Sequence, residues 1–318
     1  MTGRPLLGID ISAGRIRSLL VDGPTVVAEL AEPTRQGSAR EMVAQIVGLA
    51  ARLVTHSIPK GGDLRATVKA VGVSVPSSVD PGDGRLGPSL AMPDMAGTEL
   101  SSVLAAAFGI PVAVENDANV AALAEGRLGA AVGIDNYVVV VIREGIGMGI
   151  VLDGQLRHGW HGRAGEIARL PLGGEGVNSE QARSTDYESV VSGSAVRSRM
   201  ARMGWAARSS RLAGARSLAE AVLAASQGDA PAVRMVREEA RLIALGIASA
   251  TAILDPELVV LAGETGSVPG LLVPVSDQLQ TMVAEPPRLV TSALGDRGTL
   301  LGAVEIARIA ADAAAEGS

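Results

Sequence analysis

Gly145-Ile146-Gly147-Met148-Gly149-Ile150-Val151-Leu152-Asp153-Gly154 is the stretch whose reading decides the fold. Its alternate glycines predict a turn, and Ile150-Val151-Leu152 predicts a strand returning from it to Asp153-Gly154, a hairpin-type dipeptide. Tyr137 to Ile142, rich in β-branched residues, reads as the strand that enters the turn. The same grammar stands near the start of the chain. There Leu6-Leu7-Gly8-Ile9-Asp10 is followed by a Ser12-Ala13-Gly14 turn, and Ile16 to Val21 returns to Asp22-Gly23. Leu19-Leu20-Val21-Asp22-Gly23 and Ile150-Val151-Leu152-Asp153-Gly154 therefore carry the same ending. Internal duplication of this kind predicts two similar α/β domains facing each other across a central cleft, a common place for a ligand.

The rest of the chain fits that frame. Further strands are expected at Val26 to Leu30, Lys69 to Val75 (ended by Pro76) and Leu258 to Leu261. Helical spacing covers 39–53, 100–108, 189–203, 217–225, 230–254 and 302–315, the last expected to pack back on the first half. The expected domains are residues 1–118 with 303–318, and residues 119–302.

Composition excludes several classes. With 47% hydrophobic and 19% charged residues the chain of 318 residues reads as globular, and it is long enough for about two domains. Aromatics are only 2%, so small aliphatic side chains must fill the core. No apolar stretch reaches the ~20 residues of a membrane span, and Met1 to Pro5 lacks a secretory pattern. Zero Cys excludes disulfides and thiolate metal sites and suits a reducing, cytoplasmic setting. A net charge of −6 disfavours a nucleic-acid backbone binder.

The densest polar cluster is Glu115-Asn116-Asp117-Ala118-Asn119, between an apolar run and the helix-like Val120 to Glu125. Asn116 is suited to hold a ligand hydroxyl and Asp117 to accept a proton. Helix capping is the alternative, since Asn and Asp are favoured N-caps, but one residue suffices for a cap. The alternate glycines of Gly145 to Gly149 are not a dinucleotide fingerprint, because a strand and not a helix follows them. A glycine turn can nevertheless cradle phosphate on its backbone N–H groups.

Taken together, these blocks resemble the ROK family of repressors and sugar kinases. The carriers are Gly8-Ile9-Asp10, Gly72-Val73-Ser74-Val75-Pro76 with Val79-Asp80, Glu115-Asn116-Asp117-Ala118-Asn119 and Gly145 to Gly154. Gly162-Arg163-Ala164-Gly165-Glu166-Ile167, Leu254-Asp255-Pro256-Glu257-Leu258 and Leu294-Gly295-Asp296-Arg297-Gly298 complete the order. The resemblance implies a duplicated actin-like, hexokinase-like fold. It also implies a sugar site with Asp117 as catalytic base, and Asp94, Asn116, Asp117, Glu166 and Glu188 as sugar ligands. Asp10, Ser12, Ala13, Gly14 and Arg15, then Arg143, Glu144, Gly145 and Gly147, match the two phosphate loops, and Gly263 matches the adenosine side. ATP and Mg²⁺ would be the kinase's cofactors. Relatives are commonly dimers or tetramers, so a homo-oligomer is expected.

Departures from the family pattern accompany the matches. Family kinases read Asp-x-Gly-Gly-Thr-Lys where this chain reads Asp10-Ile11-Ser12-Ala13-Gly14-Arg15. Glu144 replaces a phosphate-facing hydroxyl. A carboxylate ~4–5 Å from phosphate at an effective dielectric of ~20 costs about 3 kcal/mol, over a hundredfold in affinity, partly offset by Arg143 or Arg15. Most members carry a zinc-binding His after Glu-Ile-Gly, and then a Cys cluster. Here Ile167-Ala168-Arg169 lacks the His and Gly176 to Tyr187 lacks Cys, so no zinc is expected. The favoured expectation is a sugar-responsive, regulator-like domain with weak or no kinase activity. The alternative is an ATP-dependent hexose or N-acetylhexosamine kinase, and a ligand-free remnant is a third. Regulators of the family carry a winged-helix domain ahead of this fold; with five residues before its first strand, this chain is not expected to bind DNA by itself.

Overall fold

The computed structural model describes residues 4–35, 37–57, 63–172, 186–206 and 210–316. The chain divides into two compact units, Met1–Ala124 with Arg157–Ala164 and Arg297–Ser318, and Glu125–Leu156 with Gly165–Asp296.

The first unit is built on a five-stranded sheet. Strands β1 (Leu6–Ile11), β2 (Arg15–Asp22) and β3 (Thr25–Pro33) form an antiparallel meander, and β4 (Ala70–Val75) and β5 (Val112–Asn116) add in parallel, in the order β3-β2-β1-β4-β5. β1 and β4 are buried along their whole length, so neither shows the alternation of a half-exposed strand. On one face, Leu7, Ile9, Ile11, Val71 and Val73 pack with helices α1 (Ala39–Ser57) and α2 (Leu100–Phe108). On the other, Leu6, Leu19 and Val21 meet Leu300, Val304 and Ala307 of the C-terminal helix, Gly298–Glu316.

Two glycines set how closely that helix approaches. Gly8 and Gly72 are paired across β1 and β4. A Cβ at Gly72 would lie 1.9 Å from the Ala303 carbonyl oxygen, and one at Gly8 2.8 Å from Val304 Cγ2. Helix backbone thus rests directly on the sheet, just before the strand ends that carry Asp10 and Ser74.

The second unit repeats the topology. β6 (Tyr137–Ile142), β7 (Ile146–Leu152) and β8 (Gln155–Leu156) are antiparallel, and β9 (Leu258–Ala262) and β10 (Arg288–Thr291) join in parallel, in the order β10-β9-β6-β7-β8. Each strand of this unit has its counterpart in the first, which is the duplication expected from the matching hairpins. Asp153 and Gly154 both adopt positive φ, 55° and 69°, as a two-residue hairpin of the favoured twist requires. The longest helix, Ala230–Leu254, is capped by the Asp229 carboxylate on Ala232 N and ends on Asp255 at φ 46°.

Two expectations are corrected. The turn between β6 and β7 is only Arg143–Gly145, closed by Arg143 N donating to Gly145 O at 2.8 Å, while Gly147 and Gly149 lie inside β7 opposite Val141 and Val139. Alternate spacing had placed these glycines on one face of a strand, which suits a strand as well as a turn. The helix expected over 189–203 is broken: one turn, Glu188–Val191, is followed by Gly193–Ala206. The break falls where Gly193 N donates to Arg143 O at 2.7 Å, so close that a Cβ there would lie 2.5 Å from the same oxygen. No described helix is long and apolar enough to cross a membrane.

Candidate functional site

In the first unit, β5 runs directly into helix α3 (Asp117–Leu128) with no intervening loop. Asn116 performs the capping. Its Oδ1 accepts from Ala118 N at 2.9 Å and Asn119 N at 3.3 Å, and its Nδ2 donates to Ser77 O at 3.2 Å. One amide N–H of Asn116 is left for a ligand hydroxyl. Asp117 is half-buried in the first helical turn, where the helix dipole favours a carboxylate by ~0.3–1 kcal/mol. Asp94 lies exposed on the one-turn helix Pro93–Met95, between the buried Met92 and Met95.

Glu115 is the hub that sequence reasoning left without a role. Its Oε1 accepts from Asn116 N at 2.7 Å and Asn119 Nδ2 at 2.9 Å, and its Oε2 meets His158 Nε2 at 2.8 Å. The hydrogen bond to Glu115 raises the His158 imidazole above its usual value, against the opposing effect of partial burial. His158 reaches Glu115 from the loop 157–164, which also brings His161 Nδ1 to 3.3 Å from Asp80 Oδ2. The only available signal was two histidines beside two glycines in that loop, with nothing nearby in sequence to pair them.

Asp10, which the resemblance assigns to phosphate binding, is committed within the protein. It is 1% exposed. Its Oδ2 accepts from Arg17 Nε at 3.2 Å and Nη2 at 2.8 Å, and its Oδ1 accepts from Ser74 Oγ at 3.0 Å. Arg17 Nη2 also donates to Thr299 Oγ1 at 3.3 Å. A Mg²⁺ ion would meet a carboxylate already neutralised by a buried guanidinium, so this residue set does not fit the metal. Ser12 closes its own turn, with Oγ donating to Arg15 O at 2.9 Å, and Ala13, Gly14 and Arg15 are exposed.

In the second unit, Glu144 is exposed at the tip of the β6–β7 turn. It pairs with Arg197 on Gly193–Ala206, with bidentate contacts of 2.8 and 2.5 Å. Glu144, with a smaller push from Glu264, raises the Arg197 pKa further. The carboxylate thus has a counter-ion within its own unit, where the family resemblance offered Arg143 or Arg15. Glu188 lies against the same turn: a Cβ on Gly145 would be 2.6 Å from its Oε1. Gly263, at φ 83°, packs so tightly on Ile142 that a Cβ would be 2.5 Å from Ile142 O. Glu166 is exposed and borders an apolar cavity of about 240 Å³ lined also by Met148, Ile150, Ile167 and Leu254.

The family's zinc does not fit the described residues. Arg169 stands where the resemblance puts the zinc-binding His, and a guanidinium carries no lone pair for a metal. It donates instead to Asp186 Oδ2 at 2.8 Å. Tyr187, 1% exposed, donates its hydroxyl to the carbonyls of Leu242 and Ile243 at 3.0 and 3.1 Å. These contacts hold the chain just before Glu188; residues 173–185, most of the segment expected to lack the Cys cluster, lie outside the described residues. Among the described residues no group of three or more His, Asp or Glu is placed to hold a metal.

The comparisons agree with this architecture. The bifunctional enzyme NanE/NanK of Brucella suis biovar 1 (strain 1330) is 29% identical over 309 residues, 95% of this chain and 53% of that enzyme, so the chain spans about half its length. A ROK family glucokinase from Streptomyces griseus, in complex with glucose and AMPPNP, matches with a TM-score of 0.80 at 26% identity, covering 96% of this chain and 99% of that one. A ROK family transcriptional regulator, a homolog of the E. coli MLC protein, shares the fold with a TM-score of 0.82 at 23% identity, covering 98% of this chain and 79% of that one. The α/β fold with two mixed sheets is the actin-like, hexokinase-like fold of these proteins. With the ROK family profile matching residues 6–310, the chain belongs to the ROK family.

Proposed function

We propose that this chain is a ROK-family sugar-binding protein, a sugar-responsive domain in which the phosphate-side positions are occupied by the protein's own ion pairs and ATP-dependent transfer is weak or absent. The fold does not choose between kinase and regulator, since both are built on it. The observation that carries the reading is Asp10. Both its oxygens are engaged, by Arg17 and Ser74, at the position where a kinase of this family needs a carboxylate near phosphate and Mg²⁺. The Arg197 pair on Glu144 points the same way.

The sugar side is the better preserved. Asp117 at the head of α3 would accept a hydrogen bond from a sugar hydroxyl, and the remaining N–H of Asn116 would donate to one. Asp94 is exposed in the same unit, and the family pattern also assigns Glu166 and Glu188 as sugar ligands. Binding needs Asp117 only as an acceptor; no proton has to leave the sugar. The cell's reducing interior is the compartment that a chain without Cys fits best.

The second reading, an ATP-dependent hexose or N-acetylhexosamine kinase, is favoured by the named relatives and by the position of Asp117. In that reading Asp117 would take the proton from the attacking hydroxyl, and ATP would be the phosphoryl donor. Two measurements separate the readings: calorimetry with hexoses and N-acetylhexosamines, and a coupled ADP-release assay with the same sugars. Sugar binding without turnover is expected. Turnover above ~1 s⁻¹ that Asp117→Asn abolishes would establish the kinase and overturn the proposal.

A further inference from the structure

Asn119, in the first turn of α3, is only 2% exposed, and its Oδ1 has no hydrogen-bond partner. The amide is not free to turn over. Its Nδ2 donates to Glu115 Oε1 at 2.9 Å, and the flipped form would set an oxygen against that carboxylate. An apolar side chain could fill this helix position without leaving a buried acceptor empty, so packing alone does not call for an Asn here. The contact that Asn119 does make is to the carboxylate that immediately precedes the Asn116–Asp117 pair.

Glu115 gathers two further contacts. Its Oε1 also accepts from Asn116 N at 2.7 Å, and its Oε2 meets His158 Nε2 at 2.8 Å. The loop that brings His158 is fixed in its turn. Ala164 N donates to His158 O at 2.9 Å, and a Cβ at Gly162, where φ is 68°, would lie 1.8 Å from Val79 O. Asn116 is thereby held at three points: its main-chain N by Glu115, its Oδ1 by Ala118 N and Asn119 N, and its Nδ2 by Ser77 O. These contacts decide where the one remaining N–H of its amide points, and the peptide that follows carries Asp117. A hydrogen-bonding grip weakens steeply once donor and acceptor leave their alignment. We propose that Glu115 is a positioning residue for the Asn116–Asp117 grip, with Asn119 and His158 bracing its carboxylate, so that sugar affinity depends on Glu115 and on the loop 157–164.

This inference rests on the sugar-binding reading, and the test separates the two. Calorimetry with glucose, N-acetylglucosamine and N-acetylmannosamine, well below each melting temperature, compares the natural protein with Glu115→Ala, Glu115→Gln and His158→Gln. Glu115→Ala should weaken binding roughly tenfold or more. Glu115→Gln keeps an acceptor oxygen for Asn116 N and Asn119 Nδ2, and should stay within about threefold of the natural protein. The pH profile adds a readout that a purely structural role would not move. Charged groups on the elements that meet at His158 are Glu115 and Asp117 on β5 and α3, Arg157 and Arg163 on its own loop, and His161 on Asp80. Only the two histidines titrate near neutrality. Affinity in the natural protein should fall about two- to fivefold between about pH 6.5 and 8.5, as His158, held above its usual value by Glu115, gives up its proton. That fall should be absent in His158→Gln. Unchanged affinity in Glu115→Ala, whatever its stability, overturns the positioning role and leaves sugar binding intact; so does a loss in Glu115→Gln as large as in Glu115→Ala. Should Glu115→Ala not fold, His158→Gln decides: a pH profile the same as that of the natural protein overturns the proposal. Failure of the natural protein to bind any of the three sugars overturns this inference and the sugar-binding reading together.

Discussion

Replacing Arg17 by Met tests the feature on which the functional reading depends. Asp10 and Arg17 are 1% and 5% exposed and face each other directly across the β1–β2 register. Without the guanidinium, Asp10 keeps only the Ser74 hydroxyl and remains in a site closed by the C-terminal helix. Breaking a buried pair by removing one partner costs about 3–5 kcal/mol, because the other charge stays buried and uncompensated. Against a typical total of ~5–15 kcal/mol this is a large fraction. At ~2–4 °C per kcal/mol for a unit of this size, the first unit should melt roughly 6–20 °C lower. The double variant Asp10→Leu/Arg17→Met should recover most of that loss, since an apolar pair of similar volume often does as well as a buried ion pair. Urea unfolding of the three proteins supplies the comparison. Mg²⁺ adds a functional arm: it should raise the midpoint of Arg17→Met, whose carboxylate then wants a cation, and leave the natural protein unmoved. A cost below ~1 kcal/mol for Arg17→Met, or equal Mg²⁺ stabilisation of both proteins, would show that Asp10 is not committed to Arg17, and the case against a phosphate-side metal would fall.

Two pH dependences follow from buried or partly buried groups. The raised pKa of His158 means that its bond to Glu115 is fully present below about pH 6.5 and is lost as pH rises through the higher folded value. Hydrogen exchange in the loop 157–164, corrected for its intrinsic pH dependence, should lose protection as pH rises above about 6.5 in the natural protein and show no such step in His158→Gln. With His158 38% exposed, the effect on stability stays under ~1 kcal/mol. Glu239 runs the opposite way to a surface carboxylate. Burial pushes it up to about 7, although Arg199 lies on it. The folded protein then holds a proton that the unfolded chain releases near pH 4.5, so stability should fall by up to ~1.4 kcal/mol per unit from pH 4.5 to 7 and then level off. In Glu239→Gln that slope should vanish from urea unfolding curves; an unchanged slope would mean that the proton is held elsewhere.

The regular elements were legible where local signals agreed. Tyr137–Ile142 is a β-branched run and was read to the residue. The periodicity of Ala230–Leu254 placed that helix with an end at about Leu254, and the structure adds an Asp N-cap and a left-handed C-terminal residue. The Glu115–Asn119 cluster stood out for its polarity, but the division of labour inside it did not. Asn116 Oδ1 is taken by the helix N-terminus, and Glu115, given no role of its own in the sequence, holds Asn119 and His158. That last contact spans 43 residues and the Glu144–Arg197 contact 53, and neither has a periodic trace in the sequence. Asp10–Arg17 is different in kind: seven residues apart across a short turn, it could have been found by counting back from Ser12-Ala13-Gly14 on both strands.

The duplicated topology sharpens the functional argument. β1–β2 and β6–β7 are equivalent hairpins, and each carries a carboxylate at or beside its turn, Asp10 in one and Glu144 in the other. In a phosphate-binding protein these turns should present backbone N–H groups and cations to an incoming anion. Here each carboxylate has drawn an arginine to itself, Arg17 from the opposite strand and Arg197 from a neighbouring helix. The two pairs differ in consequence. The buried pair is costly to break, whereas the Glu144–Arg197 pair is half exposed and worth no more than ~1 kcal/mol, so an anion could compete for Arg197 at little cost. The weak nucleotide binding proposed above should therefore trace mainly to the Asp10 site. Restoring a hydroxyl with Glu144→Thr alone should leave Mg-ATP binding weak, and recovery of tight binding by that single change would place the obstacle at the second turn instead.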